Sequence, residues 1–367
     1  MKIVVTGSQG FIGKNLCTYL QEKHHDILKV NRKTTQDDIR LYLKKADFVF
    51  HLAGSNRPED INEFQTINVD LTSFIVDELA RSGRKIPLVL TSSTQATSDN
   101  NYGLSKLAAE KLVQSYSYDS GAASYIFRLP NVFGKWCKPN YNSFVATFCS
   151  NVLSGTENTI NDPKAPVKLV YIDDVCTSLI ELLDGKIAPG FQEIPIIFNT
   201  TVGEVADIIS SFKLNRKTLI TERVGAGLKR ALYSTYLSYM SPENFSYSIP
   251  SNEDDRGIFC EMLKTKDSGQ FSFFTAHPGI TRGRHYHHTK NEKFLVMKGE
   301  AVFKFENIVT GQRHMLTVNG SNPEIVETVP GWTHDITNSG DEELIVMLWA
   351  NEIFDPDRPD TITKELF

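Results

Sequence analysis

Lys2-Ile3-Val4-Val5-Thr6-Gly7-Ser8-Gln9-Gly10-Phe11-Ile12-Gly13 decides the fold of the first half of this chain. A short apolar run that ends in glycine reads as a strand buried on both faces. Residues 10–21 then carry a helical pattern. Between strand and helix, Gly7-x-x-Gly10-x-x-Gly13 permits a tight turn and lets backbone amides approach a pyrophosphate, whose charge the helix N-terminus favours. The stretch reads as a dinucleotide-binding loop, with Gly7, Gly10, Phe11, Ile12 and Gly13 against the cofactor.

Further strands are expected at 27–30, 47–52 and 87–91, with a long helix over 59–81. Strand–helix alternation of this kind predicts an α/β, Rossmann-like, doubly wound parallel sheet covered on both faces. Beyond about residue 185 the pattern is less regular, which suits a small lobe over a substrate. A carboxylate at the end of the second strand would bind the adenosine ribose and favour NAD. Asn31, Arg32 and Lys33 stand there instead, so the cofactor is expected to be NADPH. The alternative is a pair of solvated surface cations.

Tyr102-Gly-Leu-Ser-Lys106, with Thr91-Ser92-Ser93 upstream, carries the chemistry. Residues four apart share a helix face, so Lys106 is placed beside Tyr102. A cation there is expected to draw the phenol pKa towards neutrality. Tyr102 then delivers a proton to a carbonyl oxygen as hydride reaches its carbon, and Ser93 hydrogen-bonds that oxygen.

Together these residues resemble the extended short-chain dehydrogenase/reductase family, over about residues 1–240. The resemblance includes His51-Leu52-Ala53-Gly54, Asn68, Arg128-Leu-Pro130-Asn131-Val-Phe-Gly134 and Tyr171-Ile-Asp173-Asp174-Val175. It implies Ser93, Tyr102 and Lys106 as catalytic residues and nucleotide sugars as substrates. It also implies Leu52, Ala53, Lys106 and Pro130 near the cofactor, and Asn131 near the substrate. The short gap between Ser93 and Tyr102 departs from the family and shortens a loop.

After residue 242 the pattern changes to short strands, expected at 258–264, 270–276, 293–305, 314–318, 324–329 and 344–350. Gly, Pro and Asn punctuate them, which predicts an all-β barrel or sandwich. The boundary is placed within 242–252, giving domains 1–245 and 246–367. Six of the nine histidines lie in the last quarter. In Gly279-x5-His285-x-His287-x4-Glu292-x6-Gly299, strand alternation puts His285 and His287 on one face. Two imidazoles and a carboxylate from the next strand can ligate a divalent metal.

With Pro330-Gly331-x-x-His334-x3-Asn338, this segment resembles the two motifs of the cupin family, across about residues 255–355. The implied ligands are His285, His287, Glu292 and His334. Zinc is the expected metal, with iron, nickel and manganese open. Some cupins keep the barrel and lose the metal. Asp254-Asp-Arg256-Gly257 also resembles sugar 3,5-epimerases of the cupin class. Tyr286, His288 and Lys290 are acid–base candidates by proximity alone.

A reductase followed by a cupin resembles the bifunctional enzymes of capsular polysaccharide and O-antigen synthesis. Residues 133–143, 232–239 and 349–356 extend that likeness over nearly the full length. It implies a UDP-linked 2-acetamido-2,6-dideoxy-hexos-4-ulose as substrate, epimerised at C3 by the cupin and reduced at C4 with NADPH. The implied product is UDP-2-acetamido-2,6-dideoxy-L-talose, a precursor of UDP-N-acetyl-L-fucosamine. In the rival reading only the reductase is catalytic, and the cupin is a structural, dimerising or sugar-sensing module. Cupin barrels often exchange edge strands, so a homodimer is expected.

Bulk composition narrows the field. A net charge of −5 without a basic stripe disfavours nucleic acid and anionic membranes as partners. No apolar run approaches the roughly 20 residues of a membrane span. Met-Lys-Ile-Val-Val-Thr-Gly is not a signal peptide, and five cysteines without CxxC spacing suit reduced thiols. The expected location is the cytoplasm.

Overall fold

The computed structural model describes residues 1–367, which divide into two compact units. One comprises residues 1–210 and 226–240, the other 211–225 and 241–367. The segment 211–225 joins the second unit through paired backbone bonds: Lys264 N donates to Leu219 O at 2.7 Å, and Thr221 N to Lys264 O at 2.8 Å.

In the first unit the elements run β1 (Lys2–Thr6), α1 (Phe11–Glu22), β2 (Asp26–Val30), α2 (Gln36–Lys45), β3 (Phe48–His51), α3 (Leu71–Arg81), β4 (Leu88–Ser93), α4 (Asn101–Ser120), β5 (Ser124–Leu129), β6 (Asn131–Phe133), α5 (Phe144–Ser154), β7 (Pro166–Tyr171), α6 (Ile172–Glu181), β8 (Gly190–Gln192) and β9 (Phe198–Thr201). A six-stranded sheet, ordered β2-β1-β3-β4-β5-β8, is parallel throughout. Its strands are apolar on both faces because helices cover both. On one face Leu16, Cys17 and Leu20 of α1 and Val175, Cys176 and Leu179 of α6 pack with Ile3, Val5, Phe48, Phe50 and Phe127. On the other, Ile39 and Leu43 of α2, Ile75 and Leu79 of α3, and Val113 of α4 pack with Val4, Val49, Leu88 and Leu90. This is the expected Rossmann-like layering.

One expected helix is broken. Residues 59–81 do not form a single α-helix: Phe64–Asp70 is a π-helical turn that leads into α3. Such turns widen the backbone and frequently mark functional sites. Here the turn buries Asn68. The helix α2 carries few apolar residues and was not expected from the pattern, yet Thr35 caps it by accepting from Asp38 N.

The chain then forms α7 (Val202–Phe212), α8 (Asn215–Thr218) and α9 (Gly227–Ser238). The second unit continues with β10 (Ser251–Asp254), β11 (Gly257–Thr265), β12 (Gly269–Ala276), β13 (Thr281–Tyr286), β14 (Glu292–Lys298), β15 (Glu300–Asn307), β16 (Arg313–Asn319), β17 (Ile325–Glu327), β18 (Trp332–Asn338), β19 (Leu344–Ala350) and β20 (Ile362–Thr363). Two antiparallel sheets, β10-β11-β12-β19-β14-β17 and β16-β15-β18-β13-β20, enclose a core of Phe274, Phe294, Phe303, Phe305, Val346 and Leu348. The expected single strand 293–305 is two strands in different sheets. Gly299, at φ +87°, turns the chain between them in a conformation L side chains rarely adopt. No helix is long and apolar enough to cross a membrane.

Candidate active site and metal centre

In the first unit the glycine loop leaves β1 and opens α1. Gly7 sits at φ +66°, and a Cβ on Gly13 would lie 2.1 Å from Gly7 O. Both positions therefore require glycine, and the backbone packs closely enough to present amides to a diphosphate. Ser8 ties the loop to the end of β2, donating from both N and Oγ to Val30 O, at 3.1 and 3.0 Å. Asn31 follows and folds on itself: its Oδ1 accepts from Lys33 N at 2.9 Å. The Arg32 side chain is 85% exposed, with only a 3.8 Å approach to Glu63. A solvated guanidinium beside a nucleotide loop can still engage a ribose phosphate. The loop fits a nicotinamide dinucleotide.

Behind the loop lies a buried polar chain. Thr6 Oγ1 accepts from the amides of Leu52 and Ala53, both at 3.1 Å, so it donates its own proton to His51 Nδ1 at 2.7 Å. His51 Nε2–H then donates to Thr72 Oγ1 at 2.9 Å, which donates to Asn68 O at 2.6 Å. Burial, with Lys106 nearby, pushes the His51 pKa down to about 3, so the ring is neutral. The side chain of Asn68 donates to Ser55 O and Ser105 Oγ, and Ser105 Oγ donates to Tyr102 O. Sequence reading noted His51 and Asn68 as motif members; their hydrogen-bonded continuity is visible only in three dimensions.

Ser93 ends β4 and Tyr102 lies in the first turn of α4, which Asn100 caps by accepting from Gly103 N at 2.8 Å. The Ser93 hydroxyl, which accepts from Gln95 N at 3.1 Å, acts to lower the pKa of the Tyr102 phenol. Lys106 is buried and donates to Thr91 O at 3.1 Å. Burial draws its ammonium down to about 8, opposed by Glu110. The expected lowering of the Tyr102 pKa is not found. Burial raises it, with Ser93 opposing, because the Lys106 ammonium is directed at a carbonyl oxygen. Tyr102 is thus held as the protonated phenol, the form a proton donor needs. Arg128 grips buried Glu110 through Nε and Nη2 at 3.0 and 2.6 Å, and Ser92 Oγ donates to the same carboxylate. Asn131 is exposed on β6, and Pro130 precedes it half-buried.

In the second unit His285, His287, Glu292 and His334 come together. One donor atom from each lies within 4.8 Å of every other. A register shift between Gly283 and His285 marks a bulge in β13, and it sets His285 directly opposite His334 on β18. Bulges re-aim side chains in this way. Glu292 opens β14, its amide donating to Thr328 Oγ1 at 2.9 Å. Oε2 of Glu292 lies 3.3 Å from Nε2 of both His287 and His334, and Oε1 lies 3.0 Å from Lys290 Nζ. Burial works to raise the Glu292 pKa, but His287, His334 and Lys290 outweigh it and hold the carboxyl well below its usual range. Burial, then His334, lowers the His285 pKa to about 4.

Buried His285 Nε2 and His334 Nδ1 have no hydrogen-bond partner. Leaving buried polar nitrogens unmatched costs on the order of 1–3 kcal/mol each. Three imidazoles and one carboxylate that converge within 4.8 Å are a donor set that a divalent metal such as zinc takes. The cluster fits a divalent metal. Lys290 is engaged with Glu292 rather than free, while Tyr286 and His288 pack edge-to-face against each other at 5.6 Å. Sequence reasoning missed Asp360, whose backbone oxygen accepts from His287 Nδ1. Its distance along the chain gave no signal.

Two family models match. Residues 3–190 match the NAD dependent epimerase/dehydratase family, and residues 252–362 the polysaccharide biosynthesis C-terminal domain. The chain is 53% identical over 363 residues to the UDP-2-acetamido-2,6-beta-L-arabino-hexul-4-ose reductase of Pseudomonas aeruginosa, covering 98% of each. It superposes on the crystal structure of the capsular polysaccharide assembling protein CapF from Staphylococcus aureus with a TM-score of 0.93, at 43% identity and complete coverage of both chains. MoeE5 in complex with UDP-glucose and NAD shares the fold over 65% of this chain and 98% of its own, at 19% identity and TM-score 0.56.

Proposed function

We propose, because the chain belongs to the NAD dependent epimerase/dehydratase family and carries a polysaccharide biosynthesis C-terminal domain, that it is a bifunctional UDP-sugar enzyme. Its cupin, residues 246–367, epimerises C3 of a UDP-2-acetamido-2,6-dideoxy-hexos-4-ulose. Its reductase domain, residues 1–245, then reduces the C4 ketone with NADPH to UDP-2-acetamido-2,6-dideoxy-L-talose, on the route to UDP-N-acetyl-L-fucosamine. The homodimer implied by the cupin resemblance belongs to the same proposal.

The observation that carries this reading is the four-donor cluster His285, His287, Glu292 and His334, set in a unit that reduction alone does not need. When bound, a divalent metal supplies a Lewis acid for the ketone oxygen. The C3 proton is acidic only while C4 is a ketone, so epimerisation precedes reduction. Reduction then removes the labile centre and draws the reversible inversion forward.

When bound, NADPH supplies the hydride for C4. Gly7, Gly10 and Gly13 would hold its diphosphate, Phe11, Ile12, Leu52, Ala53 and Pro130 would lie near it, and Asn31 and Arg32 would meet its ribose phosphate. Tyr102, kept protonated by burial, gives its proton to the C4 oxygen, and Ser93 hydrogen-bonds that oxygen. Lys106 supports the phenolate left behind, and Asn131 contacts the sugar.

The test is proton exchange. Metal-replete protein without NADPH should exchange the substrate's C3 proton for deuterium in heavy water. Tyr102→Phe should keep that exchange and lose NADPH oxidation. Absence of exchange in the metal-replete chain would sink the epimerase reading and favour the rival, a non-catalytic cupin.

A further inference from the structure

The four candidate ligands span residues 285–334, yet two of them are held from beyond the last long strand. Asp360 touches the centre twice. Its backbone oxygen accepts from His287 Nδ1, which fixes the tautomer and leaves Nε2 facing Glu292 at 3.3 Å. Its carboxylate gathers the turn that connects those two ligands. Oδ1 accepts from His288 N at 2.9 Å. Oδ2 accepts from Thr289 N at 2.7 Å, Thr289 Oγ1 at 2.9 Å and Lys290 N at 2.8 Å. Two residues later β20 pairs with β13, placing Thr363 opposite His285.

A bland account makes this segment a strap that closes the edge of a sheet. It does not explain why the Asp360 carboxylate turns all of its hydrogen bonds on residues 288–290, or why the carbonyl of the same residue meets a ligand ring. Turn and ring are held by the same residue, so the distance between His287 and Glu292 depends on it. We propose that Asp360 is a positioning residue of the metal centre, holding His287 and Glu292 in the arrangement that a divalent cation requires. The inference rests on the metal-site reading above.

The experiment is a zinc titration of the full chain, stripped of metal, in competition with a chromophoric chelator. Wild type, Asp360→Asn and Asp360→Ala are compared, with thermal unfolding of each metal-free protein. Asparagine keeps the size of the side chain but presents an NH2 donor where backbone amides need an acceptor. The expected result is one tight site in wild type and a loss of about 10–100-fold in zinc affinity in Asp360→Asn, with cooperative unfolding retained. If wild type takes up no zinc, the metal-site reading itself fails. If wild type binds and Asp360→Asn binds equally well, only the present inference is overturned. Should Asp360→Ala fail to fold, Asp360→Asn decides. Loss of cooperative unfolding in both variants also overturns it, since the carboxylate then holds the barrel rather than the site.

Discussion

Lys106 Nζ donates to the carbonyl oxygen of Thr91 at 3.1 Å, from a helix position one turn beyond Tyr102. The ammonium is buried, and its pKa falls from 10.5 to about 8. A buried cation with one carbonyl partner costs stability that only function justifies.

Lys106→Met should therefore separate the two. NADPH oxidation on a 4-keto sugar should fall by about two orders of magnitude or more, at the scale of a lost acid–base partner. Stability at pH 7, read by urea denaturation without nicotinamide, should rise by about 1–3 kcal/mol. The sign follows from linkage. Between about pH 8 and 10.5 the unfolded chain binds more protons at this lysine, so wild-type stability gains with pH across that window. The variant should lack that component of the slope. A less stable variant at pH 7 would contradict the argument.

At the glycine loop, Gly13→Ala should weaken NADPH binding at least tenfold in a fluorescence titration. The added Cβ would lie 2.1 Å from Gly7 O, a backbone atom that cannot step aside without moving the loop. Undiminished affinity would mean that this loop does not hold the diphosphate.

Which parts of this arrangement could be read from the sequence depends on how local the cause is. The run Lys2–Thr6 and the glycines after it fix strand, turn and helix within a dozen residues, so the structure reproduces them. The strand Leu344–Ala350 was equally plain, since both its faces are apolar. The break at Gly299 was missed because apolar residues continue on either side, and only a positive φ separates two strands of different sheets. The π-helical turn at Phe64–Asp70 was hidden because its composition reads as ordinary helix. In the site, the spacing of His285, His287 and Glu292 was legible, whereas Thr91 O and Asp360 act through contacts that no local pattern carries. Tyr102 shows a subtler failure. Its spacing to Lys106 is correct, but the direction of the lysine side chain is set by Thr91, not by helix periodicity.

His51 supplies a pH test in the first unit. Its ring is neutral and bonded on both nitrogens, and its pKa of about 3 lies below the unfolded value of 6.5. From pH 6.5 down to about 3 the unfolded chain binds the extra proton, so stability is lost as pH falls through that window. His51→Gln should cost about 1–3 kcal/mol at pH 7 by leaving buried Thr6 or Thr72 without a partner. It should also show a smaller loss between pH 7 and 4.5 than wild type, measured by urea midpoints. Parallel pH profiles would refute the assignment of that proton uptake to His51.

Chelation should divide the two proposed activities. Three of the four ligand side chains are buried, with His285 partly so, and buried imidazole nitrogens without partners gain most from a cation. Metal-stripped protein should lose C3 deuterium exchange, while Ser93, Tyr102 and Lys106, which lie in the other unit, stay intact. Offered a substrate already inverted at C3, the stripped protein should oxidise NADPH at close to the untreated rate. Offered the uninverted substrate, it should form no L-talo product, and zinc should restore that product. The stripped protein should also unfold at a lower temperature, because a metal that binds only the folded chain stabilises it by mass action. Equal exchange before and after stripping, with metal content verified by elemental analysis, would remove the metal from the epimerisation.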